Sequence, residues 1–183
     1  MFQIDYGILR EDKEWLISIK DIKEFELEFG MIVGQIQLIL NERVEGFVDC
    51  EIPYNGEFLD TWFSLLNQVV IKLKTDKFVA IEIIGSADIW IEFEVIEKMI
   101  LISEIRAKAE KYVPTAITSI PKDRSEFFWS ESIQISEFVS RVLAATDRFI
   151  QDVIEINDIL RESRTVTKLN GIFQTAKRVW NYV

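Results

Sequence analysis

Ile89-Trp90-Ile91-Glu92-Phe93-Glu94-Val95-Ile96 sets apolar residues at 89, 91, 93 and 95, with Trp90, Glu92 and Glu94 between them. A period of two over this length is the pattern of a strand with one face buried. Outward from it, Val79, Ile81 and Ile83 alternate in the same way, Gly85-Ser86 makes a turn, and Met99 to Ile105 continues the sheet. Residues 112–123, with Pro114 and Pro121, read as an irregular connection, and Glu126 to Ile135 as one further strand.

Toward the N-terminus the same alternation predicts a meander of four or five strands between Phe2 and about Ile52. Trp15, Ile17 and Ile19 alternate. So do Phe25, Leu27 and Phe29, with Glu24, Glu26 and Glu28 between them, and Ile36, Leu38 and Leu40 with Gln35 and Gln37. Asn41-Glu42-Arg43 and Pro53-Tyr54-Asn55-Gly56 are turn-like. A helix follows, opened by Gly56-Glu57-Phe58-Leu59-Asp60, with Leu59, Trp62, Phe63, Leu66, Val69, Val70 and Leu73 at helical spacing. A second starts with Ser136 as N-cap and carries Val139, Val142, Leu143, Phe149, Ile150 and Val153. A last helix runs from about Ser163 to Trp180.

The expected fold is therefore α+β, one domain over residues 1–183. It has mostly antiparallel sheets of about seven to nine strands, two main helices and a C-terminal helix over residues 163–183. Gly56-Glu57-Phe58-Leu59 resembles Ser136-Glu137-Phe138-Val139, and Leu27-Glu28-Phe29 resembles Ile91-Glu92-Phe93. A duplicated sheet-plus-helix unit, with halves 1–76 and 77–160, explains both likenesses. So does the ease with which apolar helices and alternating strands resemble one another.

Two absences narrow the chemistry. The chain has no histidine, which removes Ser-His-Asp and Cys-His nucleophile systems, His-ligated metals and the commonest general base near neutral pH. Its one cysteine, Cys50, excludes an intrachain disulfide and lies between Asp49 and Glu51, where a reactive thiolate is disfavoured. No catalytic residue, metal site or cofactor site is expected. The longest stretch without charge, Phe29 to Asn41, is 13 residues, short of the roughly 18 that a spanning helix needs. Without an export signal either, the chain is expected in the cytoplasm.

Charge is the most informative feature. The net charge is −10, from 31 acids and 21 bases, which argues against nucleic-acid binding. Residues 1–60 hold 14 acids and five bases, while residues 61–183 hold 17 acids and 16 bases. If strand alternation holds, Glu24, Glu26 and Glu28 share one sheet face, and Asp49 and Glu51 join it under suitable pairing. Like charges opposite each other across strands are destabilising, so such a face invites a basic partner. Trp90, on the same face as Glu92 and Glu94, is the candidate aromatic anchor. An acidic face also serves solubility alone, and Trp90 is equally consistent with cover by a helix.

Over most of its length the chain resembles the small immunity proteins of Gram-positive polymorphic-toxin loci, including the group encoded beside wall-associated toxins. The resemblance rests on the acidic strand-rich start, the Glu57-Phe58-Leu59-Asp60-Thr61-Trp62-Phe63 helix opening, Ile89-Trp90-Ile91-Glu92-Phe93 and the closing helix. It implies a cytosolic, non-enzymatic protein that blocks a basic toxin domain by covering its active site. An adaptor or assembly chaperone, dimerising through the amphipathic segment from Thr165 to Val183, is a second reading. A hydrolase using carboxylate pairs such as Glu92 with Glu94 or Asp49 with Glu51 is a third.

Overall fold

The computed structural model describes residues 1–28, 30–49, 52, 56–83, 85–86, 88–108 and 115–181. The fold is α+β, with eight strands in two antiparallel four-stranded sheets and five α-helices among the described residues. In the first sheet β1 (Phe2–Ile8) pairs with β2 (Val33–Leu40), whose other edge carries β3 (Arg43–Gly46) and the two-residue β4 (Glu57–Phe58). The helices α1 (Arg10–Ser18) and α2 (Ile22–Leu27) lie in the connection between β1 and β2. β4 runs directly into α3 (Leu59–Lys72).

The second sheet is a meander in chain order: β5 (Phe78–Glu82), β6 (Ile89–Ile96), β7 (Met99–Arg106) and β8 (Glu126–Gln134). β8 runs directly into α4 (Ile135–Ile156). A short 3-10 helix (Asp158–Glu162) then leads into α5 (Arg164–Val179). Ser163 caps α5, accepting a hydrogen bond from Val166 N at 3.1 Å. Ser136 does not cap α4. The N-cap position is Gln134, two residues earlier, and Ile135 N donates to Lys98 O in the β6–β7 turn at 3.0 Å.

Two expected strands are helices. Trp15 and Ile17 lie in α1, and Glu24 to Leu27 lie in α2; Phe29 falls outside the described residues. The physical cause is local. Arg10, Glu11, Lys13 and Glu14 are strong helix formers, and Glu11 and Asp12 are placed to complement the helix dipole. Asp21 caps α2 by accepting from Lys23 N at 2.9 Å, and Glu24 reaches back to Lys20 N at 3.2 Å. Lys23, Glu24 and Glu26 gain little from a strand. The alternating run from Phe47 also does not extend β3, which ends at Gly46, and Cys50 and Glu51 lie outside the described residues.

One apolar core joins both sheets through the helices. Phe138 of α4 meets Phe2 of the first sheet at 5.1 Å and Phe93 of the second at 5.5 Å, between ring centroids. Phe63 of α3 stacks on Phe149 of α4 at 4.7 Å, and Tyr6 of β1 sets its edge against both rings. Asn67 fixes the crossing of α3 and α4 by donating to Thr146 Oγ1 at 2.7 Å and Phe63 O at 2.8 Å. The apolar stripe of α5 (Val166, Leu169, Phe173, Ala176) is buried within the chain, α5 packing against α3. Trp180 donates to Val70 O at 2.8 Å. The stripe that suggested a dimer contact is therefore used internally.

Gly34 sits at a close approach of β1, β2 and α3. A Cβ there would stand 2.4 Å from Gly7 O and 2.4 Å from Leu59 Cδ1. The Gly7 carbonyl belongs to the β1–β2 pair and has no room to retreat. Gly34→Ala is expected to lose about 1–3 kcal/mol in urea denaturation, the range for overpacking a close-fitted interior. A midpoint unchanged from the parent chain would contradict this contact.

Candidate partner-binding surface

The residues expected to form one acidic sheet face are dispersed. Glu24, Glu26 and Glu28 lie on or at the end of α2, where the helical repeat puts Glu24 and Glu28 on one side and Glu26 on the other. Glu26 is engaged with α5: it accepts from Arg164 N at 2.7 Å and faces the Arg164 guanidinium at 3.4 Å. Asp49 is exposed and follows β3 outside any strand, its N–H donating to Gln35 Oε1 at 2.6 Å. Glu51 lies outside the described residues.

On the second sheet, Trp90 is only 3% exposed and is no surface anchor. It packs with Ala80, Ile105 and Ala107, and its indole donates to Ala107 O at 3.2 Å. The chain after β7 crosses this outer face and bridges to β5, where Ala80 and Ile117 exchange backbone hydrogen bonds at 2.8 and 2.9 Å. Glu92, 4% exposed, is held by Arg124 from that same segment at 2.5 Å. Burial pushes its carboxyl up and Glu94 adds to this, while Arg124 pulls it down. Glu94 alone of the three is exposed. Alternation correctly puts the three on one face; it does not report what covers that face.

The unbalanced acids gather elsewhere. Residues 10–28 together with residues 152–164 hold eleven acids and six bases, a surplus that is half the net charge. These segments form one end of the molecule. The Asn157 side-chain amide donates to Leu16 O at 2.9 Å and to Ile19 O at 2.8 Å, and its oxygen accepts from Ile159 N at 3.2 Å. With the Glu26–Arg164 contact, this ties α1 and α2 to the α4–α5 junction. Glu11, Glu14, Asp21, Glu24, Glu28, Glu155 and Glu162 are all exposed there.

The same end exposes large aliphatic side chains. Leu27 is 82% exposed, Ile17 is 57% exposed, and Ile159 on the 3-10 helix is 37% exposed. As strand residues both Leu27 and Ile17 were expected to point inward; as helix residues they point to solvent. Apolar anchors inside a charged rim are the usual anatomy of a protein interface. Because the backbone beneath is fixed by hydrogen bonds, little ordering cost accompanies binding.

No family model, curated protein or solved structure matches the chain. Among the described residues no group of three or more Cys, Asp or Glu side chains is arranged to hold a metal ion. No helix among them is long and apolar enough to cross a membrane.

Proposed function

We propose that this chain is a binding protein that neutralises a basic protein partner in the cytoplasm, in the manner of the immunity proteins its sequence resembles. The observation that carries the reading is the acidic end built by α1, α2 and the α4–α5 junction, with Leu27 and Ile17 exposed on it. A negative field of this kind draws a cationic partner and orients it before contact, and the aliphatic side chains then supply desolvated area. The acidic sheet face of the sequence reading is replaced by this helical end. The partner class, a basic toxin domain, follows from the resemblance and from charge complementarity.

Co-expression with the product of the neighbouring reading frame tests this. A stoichiometric complex is expected, with an association rate that falls at least about tenfold between roughly 50 and 500 mM salt. A complex that forms at the same rate in both salts would remove electrostatic recognition. Absence of any complex would remove the neutralising role.

A further inference from the structure

β1 is an edge strand: β2 pairs with one side of it, and among the described residues no strand pairs with the other. An antiparallel ladder turns alternate residues toward the partner strand. In β1 the odd residues face β2, in step with Asn41 N donating to Met1 O at 2.7 Å. The even residues turn their backbone N–H and C=O outward. Side chains of α4 cap the first two of them: Phe2 N donates to Glu137 Oε1 at 2.8 Å, and Arg148 Nη2 donates to Ile4 O at 3.3 Å. At Tyr6 and Ile8 no such cap is present among the described residues.

Two clefts lie along this edge. One of about 740 Å³ runs beside Tyr6, Gly7 and Ile8, walled by Asp152, Glu155 and Ile156 of α4 and by Arg10, Lys13 and Ile17 of α1. The other, of about 340 Å³, lies beside Gln3, Ile4 and Asp5, with Arg141 and Arg148 of α4 on its far side. Arg148 stands where they meet, bonded to Ile4 O and lying over the Tyr6 ring. The charges differ between the two. In the larger cleft two bases face two acids, whereas in the smaller one Asp5 faces two arginines. Both Asp5 oxygens accept from Gln3 Nε2, at 2.9 and 2.8 Å, and Arg141 has no acceptor among the described residues.

Open backbone groups beside a cleft are a template for one more strand. A segment laid antiparallel on Tyr6 and Ile8 runs toward Ile4, where the Arg148 cap occupies the edge. A chain passing through would have to break that cap. A chain that ends there instead delivers its terminal carboxylate to Arg148 and Arg141, and arginine suits a carboxylate. We propose that this edge binds the last four residues of a protein partner as an added strand. Its backbone pairs with Tyr6 and Ile8, an apolar side chain three residues before the end rests against Ile17 and Ile156, and the carboxylate meets Arg141 and Arg148. A second copy packed edge to edge would set another pair of arginines against these, which disfavours it. The inference goes beyond the function proposed above. The groove shares Ile17 and Glu155 with the acidic end but reads a chain terminus and not a basic surface, so either stands if the other fails.

The probe is the peptide acetyl-Leu-Ser-Thr-Val with a free C-terminal carboxylate, titrated into the ¹⁵N-labelled full chain. The backbone amides of Tyr6 and Ile8 are expected to shift saturably and to exchange more slowly with solvent, while Ile100 and Ile102 in β7 stay unchanged. Strand pairing makes a sharper demand. N-methylation at the peptide threonine, whose N–H faces Tyr6, should abolish binding, and N-methylation at the serine, whose N–H faces away, should leave it nearly intact. Replacing the carboxylate by an amide should weaken binding at least about tenfold. Arg141→Gln, at an exposed position, should weaken it about threefold. Four results would overturn the proposal: no saturable shift at Tyr6 and Ile8, equal binding of the two N-methylated peptides, binding indifferent to both the amide cap and Arg141→Gln, or the same two amides shifting with chain concentration alone, which would assign the edge to a second copy.

Discussion

Replacing Phe63 with alanine is expected to lower folding stability by about 3–5 kcal/mol, the range for removing a buried aromatic ring. The ring is fully buried, stacked on Phe149 and met edge-on by Tyr6. Those neighbours cannot close the space it leaves. Tyr6 is fixed by its hydroxyl, which donates to Asp152 Oδ2 at 2.5 Å, and by Arg148 lying over its ring at 5.2 Å. Arg148 in turn donates to Ile4 O at 3.3 Å. α3, α4 and β1 therefore meet at a point that does not relax. The corresponding fall in melting temperature is roughly 6–20 °C for a chain of this length. Urea denaturation followed by circular dichroism measures it; a loss below about 1 kcal/mol would show that the site collapses after all.

The second large effect concerns recognition. Glu14→Lys, Glu28→Lys and Glu162→Lys together change the charge by two units at each of three exposed positions, on α1, at the end of α2 and on the 3-10 helix. With the basic partner in hand, the association rate is expected to fall about 10²-fold at low salt. Stability should change little, since substitutions of exposed side chains usually change it within about 0.5 kcal/mol. The same charge change at Glu42, Glu94 and Glu97, all exposed, is the control. If location matters, the control keeps most of the rate. Equal losses in the two triple variants would reduce the surface to a net-charge effect and remove its specificity.

Much of the fold was legible because several runs were long enough to show their period. Ile89 to Ile96 alternates for a full strand, and β6 covers those same residues. Leu59 to Leu73 repeats at helical spacing for nearly four turns, and nine residues of α3 are buried. The failures fall where the run was short. Glu24 to Glu28 is five residues, and over that length an alternating pattern and a helical one both put Phe25 inside. The cap at Asp21 and the backward reach of Glu24 tipped the balance, and both were written in the sequence as a capping pattern.

The candidate surface was legible only in part. The charge asymmetry of the first third was visible by counting, yet its placement was not, since Glu26 and Glu92 are spent on Arg164 and Arg124 and Trp90 is covered by the segment that follows β7. Leu27 and Ile17 gave no signal of exposure, because an apolar residue in an alternating run reads as buried.

By itself the sequence determined the mixed α+β content, the antiparallel strands, the closing helix, the acidic excess and the lack of imidazole chemistry. These depend on local period and on composition. Tertiary structure alone decided which faces are covered, where the unpaired acids collect, and that clefts open between the edge of β1 and α4. The reason is physical: periodicity tells a side chain which side of its own element it occupies, while the layer lying against that side is set by packing between residues far apart in the chain.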